Sequence, residues 1–216
     1  MKIKKTLILT VMILTLVVPT AFAAGNFEDV PGNAWYKDSL DYSVREGLIN
    51  GYPDDTFKPE NTLTRAEFTK VVVYALYGKQ EKGLNLFKKW HTPYYEKGKE
   101  NGLLPTSFAN LDKDSPVKRG EMAVVIANID DLELDTSKGK SDIEDYSDIP
   151  SAQKSAVVKT YQSGIINGYP DGTFKANETL TRAQLAKVAQ LIDDRSAIGE
   201  QEQEQETGEG TENSEL

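Results

Sequence analysis

The sequence predicts an all-α fold built from helix-loop-helix repeats, and three observations predict it. Asn50-Gly-Tyr-Pro-Asp-Asp-Thr-Phe-Lys-Pro-Glu-Asn-Thr-Leu-Thr-Arg-Ala-Glu-Phe68 returns, with few changes, as residues 167–185, an offset of 117 positions. Within each copy, apolar residues recur at helical spacing on either side of a loop dense in Gly, Pro and Asp. Thr64-Arg-Ala-Glu67 and Thr181-Arg-Ala-Gln184 each have the residue order of a capping box, in which a hydroxyl and a side-chain carbonyl or carboxylate satisfy each other's backbone amides at a helix start. The offset of 117 is about twice a repeat length of 55 to 60, so a third, weaker copy is expected in between. Gly102 and Arg119 mark it: the Gly-to-Arg spacing is 18 for Gly47 and Arg65, 17 for Gly102 and Arg119, and 18 for Gly164 and Arg182. Trp35 precedes Gly47 by 12 residues and Trp90 precedes Gly102 by the same 12.

Residues 1–23 open with Lys2, Lys4 and Lys5, continue as an apolar run from Leu7 to Val18, and end in Ala21-Phe22-Ala23. That is the pattern of a secretory signal peptide, with cleavage expected after Ala23. The apolar run of 12 residues is shorter than the roughly 20 needed to span a bilayer. In the first repeat, 26–78, Trp35, Leu40, Val44 and Leu48 predict a helix from about 35 to 46, stopped by Gly47 in the left-handed conformation. Asn50 to Glu60 is an ordered loop, with Tyr52 and Phe57 available to pin it. A second helix starts at Arg65, turns Phe68, Val71, Val72, Ala75 and Leu76 inward and stops at Gly78. The divergent second repeat spans 84–130 and the third spans 142–194, where Leu185, Val188, Leu191 and Ile192 repeat the apolar stripe. Residues 199–216 hold seven Glu, no Lys or Arg, and no apolar residue before Leu216, the composition of a solvated disordered tail.

Composition narrows the chemistry. Among 216 residues, 38% are apolar and 27% charged, which excludes a multi-span membrane protein. The absence of Cys excludes disulfides, thiolate nucleophiles and Cys-ligated metals, and the single His91, read as a surface or packing residue, leaves no room for a His-based centre. The formal charge of −9 becomes −12 without the three leader lysines and −5 without the seven tail glutamates, so nucleic acid is disfavoured as a partner. No cofactor or metal is predicted. Asp142, Glu144, Asp145 and Asp148 lack the twelve-residue spacing of a calcium loop. The pairs Asp54/Asp55 and Asp130/Asp131 are adjacent loop carboxylates, not the facing pair that glycoside hydrolysis needs.

Phe27-Glu-Asp-Val30, Trp35-Tyr36, Gly47-Leu-Ile-Asn-Gly-Tyr-Pro-Asp-Asp-Thr-Phe57 and Thr64-Arg-Ala-Glu67 together resemble the S-layer homology domain. The resemblance covers three copies from about Asn26 to Asp194 and is loosest in the second. It implies a pseudo-trimer of α-helical repeats, not an enzyme, secreted to the cell wall. Grooves between repeats would bind secondary cell-wall polysaccharide linked to peptidoglycan, often through a pyruvylated amino-sugar. Carried onto this chain, it nominates Asp29, Trp35, Gly51, Arg65, Trp90, Arg119, Asp148, Gly168 and Arg182 as ligand-binding residues.

Each nomination has a physical reason and a plainer alternative. Arg65 and Arg182 begin helices, where the dipole and unpaired amides favour an anion and a guanidinium fork suits a carboxylate; structural ion pairs are the alternative. Trp35 and Trp90 offer flat faces to sugar rings, or fill the core. Asp29 is an acceptor for the ligand or an N-cap. Gly51 and Gly168 open the groove, or sit in turns needing positive φ. The second copy has Lys88-Lys89 before its Trp, no Gly-Tyr-Pro-Asp loop and no Thr cap; the third has Ala152 where the Trp would stand. Unequal grooves are therefore expected, with the best built from first-copy residues and Arg119 contributing least. A structural role in envelope assembly, docking other envelope proteins, is the rival function, followed by a glycan-active enzyme.

Overall fold

The computed structural model describes residues 27–81, 88–130 and 132–194. The export segment and the acidic tail lie outside the described residues. The fold is helical: α1 (Lys37–Arg45), α2 (Arg65–Tyr77), α3 (Thr92–Glu100), the single turn α4 (Thr106–Ala109), α5 (Arg119–Ile126) and α6 (Lys154–Gln162) are followed by α7 (182–194). Three short 3-10 turns, Lys140–Asp142, Tyr146–Asp148 and Ser151–Gln153, lead into α6.

The boundaries follow from local chemistry. Gly47, Gly102 and Gly164 all stand at φ +71° just past α1, α3 and α6, a conformation that costs a residue with a Cβ. The capping box of α2 forms as its sequence requires, with the Glu67 amide donating to Thr64 Oγ1 (3.2 Å) and the Thr64 amide donating to Glu67 Oε2 (2.8 Å). Thr181 and Gln184 repeat it on α7 at 3.3 and 3.2 Å. On α5 only half survives: Glu121 accepts from the Lys118 amide (3.0 Å), and lysine has no acceptor to return. The first helix starts later than expected, at Lys37, because Trp35 and Tyr36 form the turn before it. Trp35 is 67% exposed and not part of the core, while Leu40 and Leu48 are buried as expected.

The units α1/α2, α3/α5 and α6/α7 close on one another in a ring. The second helix of each packs on the first helix of the next: α2 on α3, α5 on α6, and α7 on α1, where Tyr42 Oη donates to Asp193 Oδ2 (2.7 Å) and Ser43 Oγ donates to the Ala186 carbonyl (3.1 Å). The segments before α2, α5 and α7 pair in the same cyclic order through three isolated bridges, Thr64 with Pro116, Lys118 with Thr179 and Thr181 with Thr62. Between the bridge residues sit Leu63, Val117 and Leu180, each with at most 2% exposure. Burial of each stabilises by about 1.5–3 kcal/mol.

The ring also settles the first amides of the second helices. Arg65 and Ala66 amides donate to the Ser115 and Lys113 carbonyls, those of Arg119 and Gly120 to Glu178 and Ala176, and those of Arg182 and Ala183 to Asn61 and Pro59, all at 2.9–3.0 Å. An unmatched buried amide costs about 1–3 kcal/mol, so a helix start in one unit depends on a loop in its neighbour. We therefore expect a single cooperative unfolding transition by calorimetry, and no folded population for a chain cut down to residues 26–78 when its circular dichroism is recorded.

His91 lies at the start of α3, 5% exposed, with neither ring nitrogen bonded among the described residues. It is a buried packing residue set edge-on between Trp90 and Tyr95. Burial pushes its pKa below the ordinary 6.5, helped by Lys89 and Lys113 and opposed by Asp114. The unfolded chain therefore binds the proton first, so the stability contribution is present above about pH 6.5 and is lost as pH falls. Unfolding free energy by urea titration should drop between pH 7.5 and 5.5, and the drop should shrink in His91→Asn.

Candidate functional site

The loops that carry the candidate residues are held from below by carboxylates. Asp29 accepts from the amides of Phe57 and Lys58, both at 2.7 Å. In the third unit the same clamp is made by Asp145, which accepts from Phe174 (2.6 Å) and Lys175 (2.8 Å). Each clamp fixes a lysine, Lys58 or Lys175, at φ +56°. Asp29 is thus a clamp on its loop and not an N-cap, and its counterpart is Asp145, three residues before the nominated Asp148. Asp148 stands exposed on its 3-10 turn and accepts from Ser147 Oγ (3.1 Å). Among the described residues no group of three or more His, Cys, Asp or Glu side chains is placed to hold a metal ion.

The two glycines act through close approach, since neither has positive φ. A Cβ on Gly51 would lie 2.0 Å from Phe27 Cε1, and one on Gly168 would lie 3.0 Å from the Thr173 carbonyl oxygen. Gly51 lets the Phe27 ring lie under its loop beside Phe57, with centroids 5.6 Å apart.

A groove of about 570 Å³ draws on all three units: Trp35 and Glu60 from the first, Arg119 and Met122 from the second, and Asn167, Gly168, Tyr169, Thr181, Gln184 and Lys187 from the third. Three of the nominated residues, Trp35, Arg119 and Gly168, meet in it. Arg119 was expected to contribute least because its own unit lacks the loop, yet the loop it reaches belongs to the next unit. Its Nε donates to the Phe174 carbonyl (2.8 Å) and its Nη2 to the Asn167 carbonyl (3.1 Å), with the guanidinium carbon 4.8 Å from the Tyr169 ring centre. It is 5% exposed, and among the described residues no carboxylate lies within ion-pairing distance. Burial pushes its pKa down from the usual arginine value.

Arg182 repeats the arrangement one step round the ring, donating to the carbonyls of Phe57 (2.7 Å) and Asn50 (2.8 Å) beside Tyr52, whose ring centre is 4.8 Å away. Burial also lowers its pKa. Arg65 is different: Nε and Nη2 clasp the two oxygens of Glu121 at 2.9 and 2.7 Å, and Nη1 donates to the Asp112 carbonyl (2.9 Å). Hydrogen bonding to Glu121 pushes its pKa up. The expectation of anion-seeking helix amides is corrected by the ring geometry, because the first two amides of α2, α5 and α7 already donate to a neighbouring unit. The groove residues missed from sequence include Tyr169 and Gln184, both inside the repeated stretch; Glu121 was visible only as the last residue of Lys118-Arg-Gly-Glu121.

Residues 26–69 and 145–186 match the S-layer homology domain. These two segments are S-layer homology domains. The match covers the residues that form the Asp29 loop clamp and, at α2 and α7, the helix starts with complete capping boxes. Among similar proteins, the Surface-layer 125 kDa protein of Lysinibacillus sphaericus is 34% identical over 119 residues, 49% of this chain and 10% of that protein. Exoglucanase XynX of Acetivibrio thermocellus is 25% identical over 75% of this chain and 16% of its own length. An S-layer protein of Bacillus thuringiensis subsp. finitimus is 24% identical over 84% of this chain and 23% of its own. The chain thus spans less than a quarter of the length of each of these relatives. The domain and the surface-layer relatives place the chain at the cell surface, and no helix among the described residues is long and apolar enough to cross a membrane.

The Arg65–Glu121 pair, with side chains only 10% and 12% exposed, ties the first unit to the second. Removing one partner strands the other, so Arg65→Ala should lower stability by about 3 kcal/mol, read as a shift in urea midpoint. Arg65→Lys should recover less than half, since an ammonium keeps charge but not the fork.

Proposed function

We propose that this chain is a non-covalent anchoring unit whose three repeats, set as a pseudo-trimer, bind an anionic cell-wall polysaccharide in grooves between repeats. The S-layer homology domains support a cell-surface anchoring role in general terms, and the ring of inter-unit bridges supports the three-repeat arrangement. The observation that carries the ligand reading is the groove in which an exposed indole, Trp35, shares its lining with a buried guanidinium whose hydrogen-bond acceptors are backbone carbonyls. A buried cation with no carboxylate in direct contact is costly, and an incoming carboxylate would relieve that cost while forming charge-assisted hydrogen bonds.

Trp35 gives the groove a flat apolar face of the kind a pyranose presents with its C–H bonds. Gln184, Thr181 and Asn167 add neutral donors and acceptors suited to hydroxyls and acetamides, and Lys187 adds a second positive charge. A sugar bearing a pyruvyl ketal meets both requirements at once, with one carboxylate on an otherwise neutral ring, which agrees with the family resemblance. On this reading the binding partner is the secondary polymer linked to peptidoglycan, and the chain carries no catalytic role of its own.

Trp35→Ala removes the platform while leaving the core intact, because the ring is largely exposed. We expect it to weaken binding to purified cell walls by about 2 kcal/mol, roughly thirty-fold, with an unchanged melting temperature. Walls stripped of their non-peptidoglycan polymer, or carrying polymer with the ketal removed, should retain little of the parent protein in the same sedimentation assay. Equal binding to stripped and intact walls would defeat the proposal.

A further inference from the structure

The first residue of the second helix is arginine in all three units, but the three arginines do not have the same surroundings. Arg119 and Arg182 each hold two backbone carbonyls of a neighbouring loop and lie beside that loop's tyrosine, Tyr169 or Tyr52. The loop next to Arg65 belongs to the second unit, which lacks the Gly-Tyr-Pro-Asp sequence and forms the short α4 instead. Among the described residues no tyrosine of that loop stacks on the guanidinium as Tyr169 and Tyr52 do, and the fork closes on Glu121.

Glu121 occupies the fourth position of the capping segment, equivalent to Glu67 and Gln184. Glu67 is retained by its own cap, accepting from both the amide and the hydroxyl of Thr64 at 2.8 and 3.0 Å. Gln184 is uncharged. Lys118 replaces the threonine in the second unit and offers Glu121 only its amide. The Glu121 carboxylate is thereby left able to take both guanidinium edges of Arg65.

We infer that Glu121 is a built-in counter-carboxylate that fills the arginine site at one of the three positions in the ring, so the protein presents two anion-taking arginines, Arg119 and Arg182. The same position lacks an indole, since Ala152 stands where Trp35 and Trp90 stand in the other units. The inference rests on the reading of the grooves as sites for a carboxylate-bearing glycan, and it assigns that ligand to two of them.

The test uses the Nε–H resonances of the three arginines in the full mature chain, with and without a methyl glycoside carrying a pyruvyl ketal. Without ligand, the Arg65 Nε–H should exchange with solvent at least ten-fold more slowly in the parent than in Glu121→Gln. With ligand, the Arg119 and Arg182 signals should shift to saturation while Arg65 stays fixed. In Glu121→Gln the Arg65 signal should begin to shift as well, and calorimetric stoichiometry should rise above two. A ligand shift at Arg65 in the parent, or unprotected exchange there, overturns the inference and leaves the wall-polymer reading standing. If Arg65 is protected but no arginine responds to the glycoside, the wall-polymer reading itself fails and takes the two-site assignment with it.

Discussion

The fold depends on where six helix-start amides find acceptors. A helix leaves its first amides without partners inside itself, and in α2, α5 and α7 the first two donate to carbonyls of the neighbouring unit. The capping residues then supply the third amide of α2 and α7. Because each unit takes acceptors from the next, and the third takes them from the first, no unit is hydrogen-bonded to completion until the ring closes. The buried trio Leu63, Val117 and Leu180 lies between the bridge residues and adds apolar burial to the same geometry. The arginine that follows each cap is then carried to the boundary between units, where a groove can form.

How the three grooves differ depends on loop chemistry more than on the helices. Two loops contain Gly-Tyr-Pro-Asp and are held by a carboxylate, Asp29 or Asp145, that takes two successive amides. Those loops present carbonyls and a tyrosine to an arginine from the preceding unit. Among the described residues the second unit's loop has neither clamp nor tyrosine, and the arginine facing it turns to an internal carboxylate. A change in the second unit therefore alters the site of the first unit's arginine, while the second unit's own Arg119 meets an intact loop of the third.

Much of this was legible in the sequence because it is local. The capping boxes, the helix stops at Gly47, Gly102 and Gly164 and the inward stripe of α2 depend on residues a few positions apart, and they fold as their patterns require. What could not be read is relational. Arg65 and Arg182 follow the same Thr-Leu-Thr sequence, yet one is clasped by Glu121 and the other by carbonyls, and the loop and capping residues across the boundary decide which. Asp148 follows from the likeness of Tyr146-Ser-Asp148-Ile149 to Phe27-Glu-Asp-Val30, but the amides of the loop are taken by Asp145, three residues earlier. Trp35 fits a helical stripe on paper; a helix that starts two residues later, at Lys37, leaves it on the surface.

The closing seam between α7 and α1 has a mechanical side. Tension applied to the chain beyond residue 194 enters α7 at its C-terminal end, next to the Tyr42–Asp193 hydrogen bond that joins it to α1. The backbone attachments of α7, the Arg182 and Ala183 amides and the Thr181 bridge, lie at its opposite end, about 18 Å away along the axis at 1.5 Å per residue. A load therefore meets the Tyr42–Asp193 fastening first and reaches the inter-unit backbone hydrogen bonds only after the outer turns have given way. The far end of the helix serves as a compliant lead, and the groove that uses Thr181 and Gln184 is the last part of that helix to feel the strain.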